Sequence, residues 1–175
     1  MDQNSLTGDF LTATAKQFLL DPVAMGQLFH SVKLDTIDFD AVDAIFLSAG
    51  HGVVVDFVDN PVLKAAIEGM HNAAGKPVAA VCHAPCALVQ CIGADGKPLV
   101  AGKKVTGFAN TEEDAVGLSD KVPFMLESKL QELGGAYEKA DDWHNKVVVD
   151  GNLITGQNPQ SSEECAKELV KQIAA

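Results

Sequence analysis

The sequence predicts an α/β fold with a mainly parallel sheet that is covered by helices on both faces. Two observations support this prediction. Short continuous apolar runs are typical of buried strands, and amphipathic segments alternate with these runs along the chain. The length of 175 residues lies within the usual range of one domain. We therefore expect a single domain over residues 1–175.

The N-terminal region predicts two short helices, over residues 12–20 and 21–29, and no strand. The first clear strand is the apolar run 44–47, which leads into a glycine-containing loop. A helix is expected over about 61–74, because Asn60-Pro61 supplies a capping residue and a proline at the first helical position.

The alternation of strands and helices continues through the middle of the chain. The apolar run 78–81 predicts a second buried strand, and the apolar stretch 86–91 predicts a helix after a tight turn. Residues 104–108 predict a further strand. A helix over about 123–133 is expected to stop at Gly134, because glycine is common just beyond helix ends.

The C-terminal segment predicts a hairpin followed by a helix. Strands 147–149 and 153–155 flank Asp150-Gly151, a pair that suits the two positive-φ positions of a type I′ turn. The last helix is expected to begin near Ser161, with Glu164 at the spacing of a capping box. One face of this helix carries Cys165, Leu169 and Ile173.

Composition excludes several classes of function. A net charge of −11 opposes binding to nucleic acid, which depends on basic residues that neutralise phosphates. No apolar run is long enough to span a bilayer, and the first ten residues lack the features of a secretory signal, so we expect a cytoplasmic protein with no membrane partner. We expect the cysteines to be reduced thiols, and their spacing matches no zinc-binding pattern. The four cysteines are Cys82, Cys86, Cys91 and Cys165.

Cys82 is the candidate nucleophile. It follows the predicted strand 78–81 and has small residues, Ala80 and Ala84, two positions away on either side. This pattern is typical of a nucleophile elbow, a sharp strand-to-helix turn that holds a reactive side chain on strained backbone. A helix N-terminus at this point would favour the thiolate, so we expect Cys82 to be the most nucleophilic cysteine. The alternative is a buried small apolar residue, as most unpaired cysteines are.

His83 follows directly and can act as an acid or base near neutral pH. The alternative is an ordinary polar residue at a helix start, which is the commoner role of a lone histidine.

Three segments together resemble the ThiJ/PfpI superfamily. They are Ser48-Ala49-Gly50-His51-Gly52, then Ala79-Ala80-Val81-Cys82-His83-Ala84-Pro85, and finally Thr155-Gly156-Gln157-Asn158-Pro159. Within this superfamily the chain is similar to the glyoxalase III-like chaperone branch, over residues 40–175. The resemblance implies a Rossmann-like, flavodoxin-like three-layer sandwich of the class I glutamine amidotransferase-like type.

The resemblance also implies roles for individual residues. Cys82 would be the nucleophile and His83 its acid/base partner, with Glu113 orienting the histidine. Glu112 is the near alternative for that role, and a solvated acidic helix start is the alternative for either carboxylate. The backbone N–H groups of Gly50 and His83 would stabilise an oxyanion, and His51 would border the pocket.

The activity implied is that of a glutathione-independent glyoxalase, which converts methylglyoxal or a related 2-oxoaldehyde to a 2-hydroxy acid through a cysteine. Stress-chaperone activity on unfolded client proteins and a homodimer are implied as well. The alternatives are a cysteine peptidase or amidase and a non-catalytic holding chaperone or redox sensor. We expect no cofactor and no metal, because His51, His71 and the acidic residues show no distinctive ligand spacing.

The N-terminus departs from the superfamily pattern. Domains of this kind normally open with a strand-helix-strand unit, which supplies a central strand and an acidic residue that reaches the cysteine. No residue among 1–40 matches that acid, since Asp2, Asp9 and Asp21 stand in a different context. We therefore expect a domain that is N-terminally short relative to the superfamily.

Overall fold

The computed structural model describes residues 6–8, 11–48 and 50–174. Its chain divides into two compact units, residues 1–37 and 38–175, which we describe separately. None of the described helices combines the length and the apolar character that a membrane span requires.

The N-terminal unit contains the two predicted helices, α1 (Ala13–Leu20) and α2 (Pro22–Phe29). Thr12 caps α1, because its hydroxyl accepts a hydrogen bond from the backbone N–H of Ala15 at 3.1 Å. Asp21 caps α2 in the same way. No strand occurs among the described residues before residue 45, as the sequence predicts.

The main sheet of the C-terminal unit has four strands: β1 (Ile45–Leu47), β2 (Val78–Val81), β5 (Val147–Asp150) and β6 (Leu153–Gly156). Their order is β1-β2-β6-β5, with β1, β2 and β6 parallel and β5 antiparallel to β6. Two shorter parallel strands, β3 (Lys104–Val105) and β4 (Ala136–Tyr137), form a second sheet. The mainly parallel α/β fold predicted from the sequence is confirmed.

Helices lie on both faces of the main sheet. The α-helices of this unit are α3 (Val53–Asp56), α4 (Pro61–Glu68), α5 (Asn110–Val116), α6 (Leu126–Glu132) and α7 (Ser162–Ile173). A π-helical turn, Gly69–Ala73, extends α4 over almost the whole predicted range. Every residue of β2 and of β6 is buried, so the core lies around these two central strands.

Two predicted elements differ in kind from the structure. The stretch after Cys82 is a 3₁₀-helix, Ala84–Gln90, in which the N–H of Cys86 bonds three residues back to the carbonyl of His83. The predicted strand 104–108 pairs only at its first two residues. Beyond them the chain leaves the sheet, because the N–H of Thr106 bonds to the Thr155 hydroxyl and that of Phe108 to the Cys82 carbonyl.

The hairpin is confirmed, but its turn lies one residue later than predicted. Asp150 pairs with Leu153, so the two turn residues are Gly151 and Asn152. Only Gly151 has positive φ, +60°, which matches a type II′ turn rather than type I′.

The predicted capping box and apolar face of the last helix are partly wrong. The Ser161 hydroxyl donates to the Oδ1 of Asn158 and makes no cap hydrogen bond to α7. Cys165 and Leu169 are buried, whereas Ile173 is 48% exposed at the end of the helix.

Gly156 at the end of β6 allows a close approach that the fold requires. A Cβ atom there would lie 2.9 Å from the Cγ2 of Val81 and 3.1 Å from the Cβ of Ser161. We expect Gly156→Ala to lower the free energy of unfolding by about 1–3 kcal/mol through overpacking. Urea denaturation of the purified variant measures this loss.

Gly69→Ala is the matched control, because a Cβ at Gly69 meets no atom within 4 Å and the residue is helical. This variant should be neutral or slightly more stable than the wild type. Equal urea midpoints for the two variants would contradict the close approach at Gly156.

Candidate active site

The candidate site forms where the carboxyl ends of three parallel strands meet. The loop with His51 follows β1, Cys82 follows β2, and Gln157 follows β6. Crevices at the carboxyl ends of parallel strands are the usual ligand sites of open α/β sheets. The topology therefore brings together segments that are far apart in sequence.

Cys82 lies on strained backbone, as the elbow pattern predicts. Its φ of +64° falls in the left-handed region, which residues with a Cβ atom seldom adopt. Two hydrogen bonds of 2.9 Å hold this conformation: the Cys82 N–H donates to the carbonyl of Gly156, and its carbonyl accepts from the N–H of Phe108. The neighbouring strand and loop thus fix the direction of the thiol.

Three buried side chains form a hydrogen-bonded chain. The Sγ of Cys82 lies 3.4 Å from the Nδ1 of His83, and the Nε2 of His83 lies 2.7 Å from the Oε2 of Glu113. Their exposures are 6%, 1% and 2%. Since the Glu113 carboxylate accepts the proton carried by Nε2, Nδ1 keeps a lone pair that faces the thiol.

His51 shares the same carboxylate. Its Nε2 lies 2.8 Å from the Oε1 of Glu113, and its ring centroid lies 4.0 Å from that of His83. The His51 side chain is 36% exposed, so it links the buried carboxylate of Glu113 to the protein surface. Gly50, the neighbouring candidate, lies in the exposed loop before α3, where its carbonyl accepts from the N–H of Val53. Ala49 lies outside the described residues.

Glu112 belongs to a different network, although it adjoins Glu113. Its carboxylate accepts hydrogen bonds from the backbone N–H of Ala109 at 3.0 Å and of Trp143 at 2.8 Å, and from the Asn158 amide at 2.8 Å. Glu112 is fully buried. It therefore joins the start of α5 to the loop before β5 and to the segment after β6, and it does not contact His83 by a hydrogen bond.

The thiol is not activated in the way the elbow pattern suggests. Burial raises the pKa of Cys82 to about 12, and the carboxylates of Glu112 and Glu113 act in the same direction. The backbone N–H of His83 donates to the Cys82 thiol. This hydrogen bond lowers the pKa of the thiol, but by less than burial raises it. The prediction of a thiolate favoured by a helix N-terminus is therefore wrong, since burial outweighs that effect and the following segment is not an α-helix.

The pKa does not distinguish Cys82 from the other cysteines, because burial also raises the pKa of Cys86, Cys91 and Cys165 to about 12. What distinguishes Cys82 is the imidazole beside it. Burial lowers the pKa of His83, and its hydrogen bond to Glu113 works against this effect. A neutral imidazole next to a neutral thiol suits proton transfer during attack on an electrophile.

Comparison with known proteins identifies the family. The DJ-1/PfpI family matches residues 26–172. The chain belongs to the DJ-1/PfpI family. Glyoxalase 3 of Candida albicans is 32% identical over 97% of this chain and 75% of its own length. Glutathione-independent glyoxalase HSP31 of Saccharomyces cerevisiae is 30% identical, with corresponding coverages of 94% and 73%.

Solved structures agree with this membership. Rapid Encystment Protein 24 kDa of Francisella tularensis has a TM-score of 0.90 and 34% identity, over 99% of this chain and 76% of its own. Glyoxalase III of Candida albicans has a TM-score of 0.89 and 29% identity, over 98% of this chain and 74% of its own. This DJ-1/PfpI chain therefore has the Rossmann-like, flavodoxin-like fold that the resemblance implied.

Two features of this DJ-1/PfpI site were not predicted from the sequence. Phe108 stacks on His83, with ring centroids 4.3 Å apart, and Trp143 packs edge-on against Phe108. Trp143 has a φ of +62°, and its N–H is held by Glu112. The hydrogen bond between His51 and Glu113 was also missed, because 62 positions separate the two residues.

Glu112 should matter for stability. We expect Glu112→Ala to lower the free energy of unfolding by about 3 kcal/mol, because three donors lose their buried carboxylate acceptor. Chemical denaturation followed by circular dichroism measures the loss.

Glu132→Ala provides the control, since Glu132 is 65% exposed and, among the residues that the structure describes, forms an ion pair with Lys129 alone. Its effect should stay within about 0.5 kcal/mol. The assignment of Glu112 to a structural network is refuted when both variants unfold at the same denaturant concentration.

Proposed function

We propose that this chain is a glutathione-independent glyoxalase-type enzyme that converts methylglyoxal or a related 2-oxoaldehyde to a 2-hydroxy acid. The hydrogen-bonded chain from Cys82 through His83 to Glu113 is the observation that carries the proposal. Two fungal relatives are named as glyoxalases, and these names support a 2-oxoaldehyde as the class of substrate. The proposed roles are nucleophile for Cys82, acid and base for His83, and orientation of His83 for Glu113.

In the first step the Sγ of Cys82 attacks the aldehyde carbon while Nδ1 of His83 takes the thiol proton. The carbonyl oxygen then receives this proton, which gives a hemithioacetal. A neutral thiol is compatible with this step, because the proton leaves as the carbon–sulfur bond forms. The backbone N–H groups of Gly50 and His83 are the proposed donors to the developing oxyanion.

In the second step His83 removes the proton from the former aldehyde carbon and a proton is returned to the adjacent carbon. The product is a thioester of the 2-hydroxy acid. Water then attacks the thioester carbon, the carbon–sulfur bond breaks, and the thiol is restored. The sum is the 2-oxoaldehyde plus one water giving the 2-hydroxy acid, so no oxidant or reductant is consumed.

Several narrower predictions accompany this proposal. A homodimer, a cytoplasmic location, stress-chaperone activity and a single domain over the whole chain stay predictions from the sequence.

Removal of the nucleophile should abolish turnover. We expect the wild type to convert methylglyoxal to lactate without glutathione, and Cys82→Ala to lose at least about 100-fold in kcat/KM. Enzymatic assay of lactate measures the product directly. Cys165→Ala is the matched control, because this cysteine is also buried but belongs to α7, a different element from the elbow that carries His83. Full activity in Cys82→Ala would rule out the mechanism.

The orienting carboxylate should act mainly on kcat. In Glu113→Gln the amide presents one acceptor and one donor to two histidines, so His83 loses its fixed tautomer. We expect kcat to fall by about 100-fold or more with a smaller change in KM. Steady-state kinetics at constant pH measures both values.

Asp114→Asn serves as the control, since Asp114 is the exposed neighbour that bonds to Ser119. Its kcat should stay within about twofold of the wild type, as surface polar changes usually have small effects. A similar kcat for both variants would show that Glu113 has no part in orienting His83.

A further inference from the structure

Three side chains from separate elements direct their donor atoms to one place. His51 comes from the loop after β1, His83 from the elbow, and Glu113 from α5. Their ligand atoms all lie within 4.8 Å of one another. We propose that this cluster binds a divalent transition-metal ion such as Zn²⁺. We also propose that the bound ion stops catalysis by Cys82, a second part that rests on the proposed function.

The donor set suits such an ion. Two imidazole nitrogens and one carboxylate, with a fourth position open, form a recognised Zn²⁺ environment with metal–ligand distances of about 2.0–2.2 Å. Each Nε2 already lies 2.7–2.8 Å from a Glu113 oxygen, so the ion would take the place of the two shared hydrogen atoms. The nitrogen and oxygen atoms would have to move apart to admit the ion, and the two glycines on either side of His51 give its backbone conformational freedom.

Electrostatics also favours a cation here. Glu112 and Glu113 are 0% and 2% exposed, and neither forms an ion pair with a lysine in the part of the chain that the structure describes. Two adjacent buried carboxylates concentrate negative charge at this place, so a divalent ion next to Glu113 would interact favourably with both of them. The His51 side chain, which is 36% exposed, links the cluster to the protein surface.

Cys82 is not a ligand in this arrangement. Its Sγ faces the Nδ1 of His83, whereas the metal site uses the Nε2 on the other side of the ring. This separation distinguishes the proposed site from the common case in which a metal binds a reactive thiol.

Binding at Nε2 explains how the ion would stop catalysis. A neutral imidazole that gives its Nε2 lone pair to a metal must carry its proton on Nδ1. The proton of His83 would therefore move from Nε2 to Nδ1, with no net change in protons or electrons on the ring. Nδ1 would then face Cys82 as a donor, and the thiol would lose its base.

The binding test uses Cys82→Ala, so that no thiol at the site contributes. Zn²⁺ is titrated into metal-free protein in competition with a chromogenic chelator. We expect one equivalent to bind, and the Kd to rise at least tenfold when His51→Ala is added. His144→Ala is the matched control, because His144 is exposed and outside the cluster. Its Kd should not change, and circular dichroism checks the fold of each variant.

Two results would overturn the metal site: an unchanged Kd in the His51→Ala background, or Zn²⁺ binding that requires the Cys82 thiol. The inhibition test uses the wild type, in which equimolar Zn²⁺ should suppress methylglyoxal turnover and EDTA should restore it. Unimpaired turnover of the Zn²⁺-loaded wild type would refute the inhibition. Wild-type protein that binds Zn²⁺ through His51 but never converts methylglyoxal would refute the proposed function and leave the metal site standing.

Discussion

The hydrogen bond between His83 and Glu113 is the interaction on which the candidate site depends, because it joins two groups that are almost completely buried. A buried carboxylate is tolerated only when donors satisfy its charge, and here both donors are imidazoles. The bond fixes which nitrogen of His83 carries the proton. The elbow and the start of α5 have to meet for this bond to exist, and the loop after β1 joins them through the second hydrogen bond, from His51.

Much of this arrangement follows from local sequence rules, and the rest depends on distant contacts. The strands 45–47 and 78–81, the hairpin and the capped helices follow from apolar runs and turn residues, which act over a few positions. The strain at Cys82 also follows from its small neighbours. In contrast, the short pairing of residues 104–105 results from hydrogen bonds to Thr155 and Cys82, which no local pattern reveals.

Local rules were least successful for reactivity. A turn into a helix suggests a lowered thiol pKa, but burial and two nearby carboxylates have the larger effect on Cys82. The division of labour between Glu112 and Glu113 is also invisible in the sequence alone, where they form a single acidic pair. Their contacts in the structure distinguish them. Glu112 accepts hydrogen bonds from separate segments of the chain, whereas Glu113 accepts hydrogen bonds from two histidines.

That division has a geometric origin, since consecutive residues of an α-helix point about 100° apart. Within one turn of α5, the first carboxylate therefore contacts the surrounding backbone and the second contacts the histidines of the site. The segment between Phe108 and Glu113 is consequently constrained in length more than in composition. One inserted residue would place Glu112 where Glu113 now meets His83, and would thereby remove Glu112 from its contact with Trp143. Such an insertion would therefore damage the scaffold and the chemistry together.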